Sequence, residues 1–341
     1  MPEQSTPPTS PLQLLRMTDG LVLHQALYAA AVLSLADLLS GNAGRVSDLA
    51  TALAVDEHAL YRLMRFLASK GVFQEPSPRT FANTELSSFL RSDVPGSVRS
   101  FMIFRGSELF FAPFGQIIYS IQTGRPAREK LYGANVFDYL KTHPEVARAF
   151  DDGMTSLSEI IAPEIAKAYN FAAWDSLMDV GGGNGVLLTS ILRAHPTLHG
   201  VLADLPHVIE RARERGFLSG DLQLRSCLQG CDFFKEVPAG CRAYVMKHVI
   251  HDWDDESARR ILTNCRRAVP KNGVLLLVEY IVSEANSPSV ANTIDVAMMV
   301  LTGGKERTLD EYGELLASAG FGVNSVLPVA GDFNIIESLP I

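Results

Sequence analysis

The sequence predicts an α/β protein: a doubly wound, mostly parallel sheet preceded by a mainly helical domain of winged-helix character. Three observations carry that expectation. From Leu177 onward, short apolar runs alternate with helix-period segments, the grammar of a parallel sheet with crossover helices. Directly after the first run, "SLMDV", four glycines crowd into positions 181–185 and a helical pattern follows. Upstream, "RVSDLATALAVDEHALYRLMRFLASKGVFQEPSPRTFANT" reads as helix, turn, helix and a small β-wing.

At 341 residues the chain has room for two domains, expected at 1–168 and 169–341. A net charge of −8 argues against a nucleic-acid partner, because phosphate-backbone binders carry a basic excess. Cys227, Cys231, Cys241 and Cys265 form no CxxC pair and have no neighbouring His at zinc spacing, so reduced thiols in a cytoplasmic protein are expected. "MPEQSTPPTSP" lacks a basic and then apolar leader pattern and reads as a frayed terminus, not a signal peptide. "LYAAAVLSLADLL" is too short to span a bilayer and contains Asp37, so no membrane partner is expected.

Taken in order, apolar spacing from Met17 to Leu39 predicts one long, largely buried helix. Ser47 is the expected N-cap of a short helix, and Asp56 opens a second with Leu60, Leu63, Met64 and Leu67 on one face. Gly71 ends it, and the wing turns at Pro76 to Pro78. A recognition helix would offer Arg62, Arg65 and Lys70 against Asp56 and Glu57, which is electrostatically weak. Use of the scaffold for dimerisation is the better reading. Residues 97–168 read as further helices. Their aromatic-rich piece "FMIFRGSELFFAPFGQIIY" suits either a core or the wall of a pocket for a flat ligand. Then follow strand "SLMDV", helix "GVLLTSILRAH", strand "GVLAD", helix "PHVIERARERG" and a third strand before "GCDFF". Next come "CRAYVMKHVI" as a strand with an extension, helix "ESARRILTNCRRAV", strand "GVLLLVEYIV", helix "TLDEYGELLASAG" and two C-terminal strands.

Ligands of such sheets bind at the carboxyl ends of the strands, by the first strand-to-helix turn. Gly181, Gly182, Gly183 and Gly185 let the backbone pass close under a ligand. The spacing is G-x-G-x-G, where dinucleotide sites favour G-x-G-x-x-G, and Asp179 stands just before the turn. A carboxylate there repels a pyrophosphate but accepts from an ammonium group. That favours the nucleoside amino acid S-adenosylmethionine (SAM) over NAD. Asp204, ending "GVLAD", suits both ribose hydroxyls. Asp232 and Phe233 in "GCDFF" offer an acceptor for the adenine amino group and an aromatic face for its ring.

"MKHVIHDWDDE" ends the next strand and supplies His248, His251 and Asp252, with Glu279 and Glu306 at comparable places. A histidine oriented by carboxylates is a general base suited to neutral pH, able to take a proton from an acidic hydroxyl.

"LMDVGGGNG", "VLADLP", "GCDFF", "MKHVIHDWDDE" and "GGKERT", in that order, resemble the SAM-dependent O-methyltransferases of the plant caffeic-acid type and their bacterial small-molecule relatives. The upstream "LYRLMRFLASKGVF" and "GANVFDYLKTHPEVARAF" resemble that family's dimerisation domain, so the likeness spans nearly the whole chain. The resemblance implies a Rossmann-like class I methyltransferase domain, a homodimer, SAM as cofactor with S-adenosylhomocysteine (SAH) as product, and no metal. It implies cofactor contacts from Asp179, Gly181, Gly183, Asp204, Leu205, Asp232, Phe233 and Lys247. His251 matches the family's general base, with Glu279 and Glu306 flanking it, Asp252 near the substrate hydroxyl and His248 without a direct proton-transfer role. Where the family usually has glycine before the aspartate–phenylalanine pair, this chain has Cys231, which bears on the adenine loop. The implied reaction is in-line transfer of a methyl group to a phenolic or enolic oxygen of a small hydroxylated aromatic or polyketide-like molecule. Met154, Met298 and Met299 are candidates for an apolar substrate slot. The alternatives are the same fold turned to hydroxylation or decarboxylation, and a winged-helix regulator that senses a small molecule.

Overall fold

The computed structural model describes residues 10–283 and 287–341, and the chain divides at Phe110/Phe111 into two compact units. The boundary expected at 168/169 falls inside the second unit, at the end of a helix spanning Pro144–Ala168. The first nine residues of the segment expected to be frayed lie outside the described residues.

In the first unit, the long helix expected from Met17 to Leu39 is broken. Helix Gly20–Val32 is followed by Ser34 in the left-handed region (φ 53°) and a single turn, Leu35–Leu38. Arg99 fixes the break: its Nε donates to the Ala31 carbonyl at 3.0 Å and its Nη2 to Ser34 Oγ at 2.8 Å. A cation on the last carbonyls of a helix is a tertiary cap, invisible to local periodicity. Ser47 is not an N-cap. The helix Val46–Leu53 starts two residues earlier than that cap would give, with Arg45 at the N-cap, while Ser47 Oγ donates to Asp48 Oδ1 at 3.2 Å. Asp56 does cap the next helix, Glu57–Ser69, accepting from the Ala59 N–H at 2.7 Å. Leu60, Met64 and Leu67 are its buried stripe. Strands Phe73–Ser77 and Thr80–Asn83 form the wing, with Gly44–Arg45 as a third antiparallel strand.

The second unit holds a seven-stranded sheet. In chain order its strands are β1 (Ser176–Val180), β2 (His199–Asp204), β3 (Ser226–Gly230), β4 (Ala243–Lys247), β5 (Val274–Tyr280), β6 (Phe321–Pro328) and β7 (Phe333–Pro340). The spatial order is β3-β2-β1-β4-β5-β7-β6, parallel except for β7, which runs antiparallel to both neighbours. Strands sandwiched on both faces read as near-continuous apolar runs, as β4 and β5 do. Their pleat splits the core into two layers: Leu276, Val278 and Tyr280 join one, Leu275 and Leu277 the other. Because the first five strands run parallel, the chain after β1, β2, β4 and β5 emerges at one edge. The sheet order reverses between β1 and β4, which is where such folds bind ligands. Among the described residues no helix is long and apolar enough to cross a membrane.

Candidate active site

The glycine turn leaves β1 at that edge. Gly181 and Gly183 have φ values of 72° and 57°, a region that side chains with a Cβ rarely enter. Asp204, at the end of β2, ties the turn down: Oδ2 accepts the Gly183 N–H at 2.9 Å and Oδ1 the Leu205 N–H at 2.6 Å. Asp179 is 1 % exposed and lies beneath Gly182, with its Oδ2 buried and unpartnered. Burial pushes its carboxyl up to about 7; Lys247 at the end of β4 pulls the other way and Asp204 adds to the rise. Burial and the two backbone donors act on Asp204 in opposite directions, and burial wins, at about 6. For Lys247 burial lowers the ammonium pKa, opposed by Asp179 and Glu279.

After β3 the Cys231 N–H donates to the Asp204 carbonyl at 2.7 Å, so this loop is threaded onto the end of β2. Cys231 itself turns into the core and donates from Sγ to the Glu236 carbonyl at 3.3 Å. Asp232 accepts the Phe234 N–H at 3.1 Å and pairs with Lys235 at 3.0 Å. The Phe233 ring lies over the glycine turn, with Cε1 at 3.5 Å from where a Cβ on Gly181 would stand. Asp179, the glycines, Asp204, Leu205, Phe233 and Lys247 therefore lie around one turn.

The second cluster follows β4. His248 has φ 52°, and its ring is stacked on that of His251, centroids 4.5 Å apart at 20°. A short 3₁₀ turn, Ile250–Asp252, carries His251. Glu279, in the fully buried strand β5, accepts the N–H groups of Val249 (3.1 Å) and Ile250 (2.9 Å) on Oε1 and so fixes this turn. On its other side His251 Nδ1 lies 2.6 Å from Glu306 Oε1, both residues being under a tenth exposed. Asp252 Oδ1 is 3.9 Å from His251 Nε2, too far for a hydrogen bond. Burial raises the Glu279 carboxyl to about 7, against the pull of His251. It raises Glu306 to about 8, with Asp295 adding to the rise and Arg307 opposing it. Asp252 is pushed up to about 6, again chiefly by burial. The His251–Glu306 contact holds a proton between Nδ1 and the carboxyl; in the state that carries it on Nδ1, with Glu306 ionised, the Nε2 lone pair is left for a proton donor.

His248, His251 and Glu279 each bring one potential ligand atom within 4.8 Å of the others. The two rings lie nearly face to face, so their lone pairs run side by side and do not converge on a point as metal donors do.

Three residues of this architecture went unread in the sequence. Asp295, on the helix Val290–Leu301, accepts the Glu306 N–H at 2.9 Å. Arg307 is wholly buried; its Nε and Nη2 donate to Asp255 Oδ1 at 3.0 and 2.8 Å, and its Nη2 also to the Trp253 carbonyl at 2.9 Å. The dipeptide Glu306–Arg307 was the available signal, but arginine is so often exposed that sequence alone does not promote it. Gly304 packs so closely on the backbone of His251 and Asp252 that a Cβ would overlap it. Met298 and Met299 are half-buried on the same helix as Asp295. Met154 is half-buried beside Thr155, whose hydroxyl accepts from Asn184 of the glycine turn at 2.8 Å. The aromatic stretch from Phe101 to Phe114 straddles the two units.

Comparison with known proteins gives this geometry a context. An O-methyltransferase domain matches residues 114–322, and an O-methyltransferase dimerisation domain matches residues 15–93. A phenazine O-methyltransferase of Lysobacter antibioticus is 39 % identical over 328 residues, 96 % of each chain. A 3-amino-4-hydroxybenzoate 4-O-methyltransferase of Streptomyces cremeus is 35 % identical, covering 95 % of this chain and 88 % of its own. An O-methyltransferase from neocarzinostatin biosynthesis, crystallised with SAM and 2-hydroxy-5-methyl naphthoic acid, superposes with a TM-score of 0.79 at 33 % identity, over 94 % of this chain and 96 % of its own. Other relatives are N-methyltransferases.

Proposed function

This chain belongs to the O-methyltransferase family and is a SAM-dependent enzyme. From that premise we propose that it methylates a phenolic or enolic hydroxyl of a small aromatic or polyketide-like molecule, with His251 as general base. The observation that carries the reading is the 2.6 Å pairing of His251 with Glu306, on a turn pinned from behind by Glu279.

The glycine turn fits the cofactor. Asp179 presents a buried oxygen with no partner, an acceptor of the kind an ammonium group needs, and Asp204 has lone pairs beyond those given to Gly183 and Leu205 for the ribose hydroxyls. Phe233 offers a ring face beside the turn, and Asp232 and Lys247 complete the expected set. When bound, SAM supplies a methyl group on a sulfonium, already a strong electrophile. The chain's own task is alignment and proton removal. Glu306 holds the His251 ring by Nδ1, so Nε2 faces outward to take the acceptor's hydroxyl proton. With its carboxyl ionised, Glu306 then stabilises the imidazolium that forms, as Asp252 does at longer range. Met154, Met298 and Met299 supply adaptable apolar wall for a flat ring. No resident metal is needed in this family.

The first unit is assigned to homodimer formation. Leu12, Leu14, Leu15, Met17, Leu21 and Val22 are each more than half exposed, an apolar surface of the kind that marks a protein–protein contact.

His251→Ala tests the base directly. The expected loss is roughly 10²–10⁴ in kcat, with SAH affinity by calorimetry essentially unchanged. Full activity in this variant would remove His251 from the role. Product mass is read in the same assay: a gain of one CH₂ unit supports methyl transfer, and a gain of one oxygen would instead mean hydroxylation.

A further inference from the structure

Two arginines are buried among the described residues of the second unit, and they are held in opposite ways. Arg307, 0 % exposed, is surrounded by acceptors: the Asp255 carboxylate and the carbonyls of Ile250, Trp253 and Lys305. Arg128, 3 % exposed on the short helix Ala127–Tyr132, has no carboxylate partner among the described residues, and its Nη1 is buried without an acceptor. Its surroundings are aromatic. The guanidinium carbon lies 5.8 Å from the centre of the Tyr139 ring, which is 5.5 Å from that of Tyr132. Cation–π attraction offsets only part of the cost of stripping a guanidinium of water. Burial lowers its pKa to about 10, so it stays a cation at neutral pH. For stability alone an apolar side chain of similar size would serve better.

The position explains what the fold does not. Pro126, just ahead of this helix, packs so closely on Gly303 that a Cβ there would come within 2.9 Å of its ring. Gly303 belongs to the loop that delivers Glu306 to His251. The helix itself packs against Val290–Leu301, the element bearing Met298, Met299 and the Asp295 that holds Glu306. Arg128 thus lies on a helix packed directly against the one that carries Met298, Met299 and Asp295.

We propose that Arg128 receives an acidic group of the acceptor, and that the preferred substrate is a hydroxyarene carboxylate whose carboxylate pairs with Arg128 while its hydroxyl faces His251. The guanidinium fork matches a carboxylate in two parallel hydrogen bonds, and in a desolvated pocket such a pair discriminates strongly against a neutral analogue. The inference rests on the methyltransferase reading and adds the substrate's charge to it.

The test uses hydroxybenzoic and hydroxynaphthoic acids, their methyl esters and the corresponding unsubstituted phenols and naphthols. Wild type, Arg128→Met and Arg128→Lys are compared by kcat/KM. Wild type is expected to favour acids over esters. Arg128→Met should lose roughly 10²-fold on the acids and stay within a few-fold on the esters, with Arg128→Lys between. SAH affinity should be the same in all three, and thermal unfolding of Arg128→Met should occur at or above the wild-type temperature. Equal loss on acids and esters, or a lower unfolding temperature in Arg128→Met, would make Arg128 a structural residue and overturn the inference. Methylation of neutral phenols alone would overturn it while leaving the methyltransferase reading intact. Absence of both SAH binding and any methylated product would overturn the two together.

Discussion

The two units differ in what they hide and what they show. Among the described residues of the first unit, Ser87 is the one buried polar side chain, while six large apolar ones between Leu12 and Val22 stand more than half exposed. In the second, Asp179, His251, Glu279, Glu306, Arg128 and Arg307 are all under a tenth exposed. Burying an ionisable group costs stability, and exposing apolar surface in a monomer brings no return. Each unit therefore carries the liability its task demands: the first a surface to be covered, the second a set of charges to be used. If so, damage to the second unit should fall on turnover, and damage to the first on stability alone.

The sharpest contrast comes from two glycines. A methyl group on Gly304 would overlap the backbone of His251 and Asp252, so the loop carrying Glu306 must move away from the histidine it orients. Gly304→Ala is expected to lower kcat by roughly 10²-fold or more and stability by about 3 kcal/mol or more. Gly71, in the first unit, has φ 75° and open space around its would-be Cβ. Gly71→Ala should cost about 1–2 kcal/mol of backbone strain with unchanged kcat. Urea unfolding and single-turnover methylation read both. A Gly304→Ala enzyme of normal turnover would mean that the Glu306 loop does not set the position of His251.

A smaller effect tests the buried charges as a group. Glu279 has a pKa raised from 4.5 to about 7, and Asp179 from 3.8 to about 7; Asp204 and Asp252 are raised to about 6. Each acid thus holds its proton in the folded state to a higher pH than in the unfolded chain. Between the two values the folded state binds more protons, so stability falls as pH rises. His248 works the other way below 6.5, because burial holds its imidazole neutral. Glu306, raised from 4.5 to about 8, adds a fifth acid; against these stand the lowered imidazoles of His248, His24 and His207, and the acids dominate. The unfolding temperature of the ligand-free enzyme should therefore fall by a few degrees from about pH 5 to about pH 7. Saturating SAH brings an ammonium to Asp179 and should flatten the slope. A slope of the opposite sign, or one indifferent to SAH, would place the strain elsewhere.

How much of this was legible in the sequence follows the same division. The sheet was readable because buried parallel strands are continuous apolar runs and the turn between β1 and its helix is spelled in glycine. His251, Glu279 and Glu306 could be singled out because each lies within a recognisable motif near the ligand-bearing edge of the sheet, and the fold brings them together around one turn. What escaped notice depends on distant partners. The helix breaks at Ser34, where Arg99, far along the chain, occupies the Ala31 carbonyl and the Ser34 hydroxyl. Asp295 supports Glu306 through a backbone N–H that no pattern announces. Arg128 looks like any surface arginine in "GRPAREKLYG", and only its burial without a partner marks it.

The mildest perturbation separates scaffold from site most cleanly. Thr84 closes the wing by a capping box: its Oγ1 accepts the Ser87 N–H at 3.3 Å, while Ser87 Oγ accepts the Thr84 N–H at 2.9 Å. The Thr84 hydroxyl also donates to the Val72 carbonyl at 2.7 Å, joining the short helix Glu85–Ser88 to the residue just ahead of the first wing strand. Thr84→Ala removes the cap and leaves the Val72 carbonyl to water. The expected cost is about 1 kcal/mol, or roughly 2–4 °C in unfolding temperature. Turnover at saturating substrate should be unchanged, because none of these bonds reaches the second unit's buried carboxylates. A ten-fold fall in kcat from so small a change would show that the first unit positions the catalytic groups as well as presenting a surface, and the division drawn between the two would then fail.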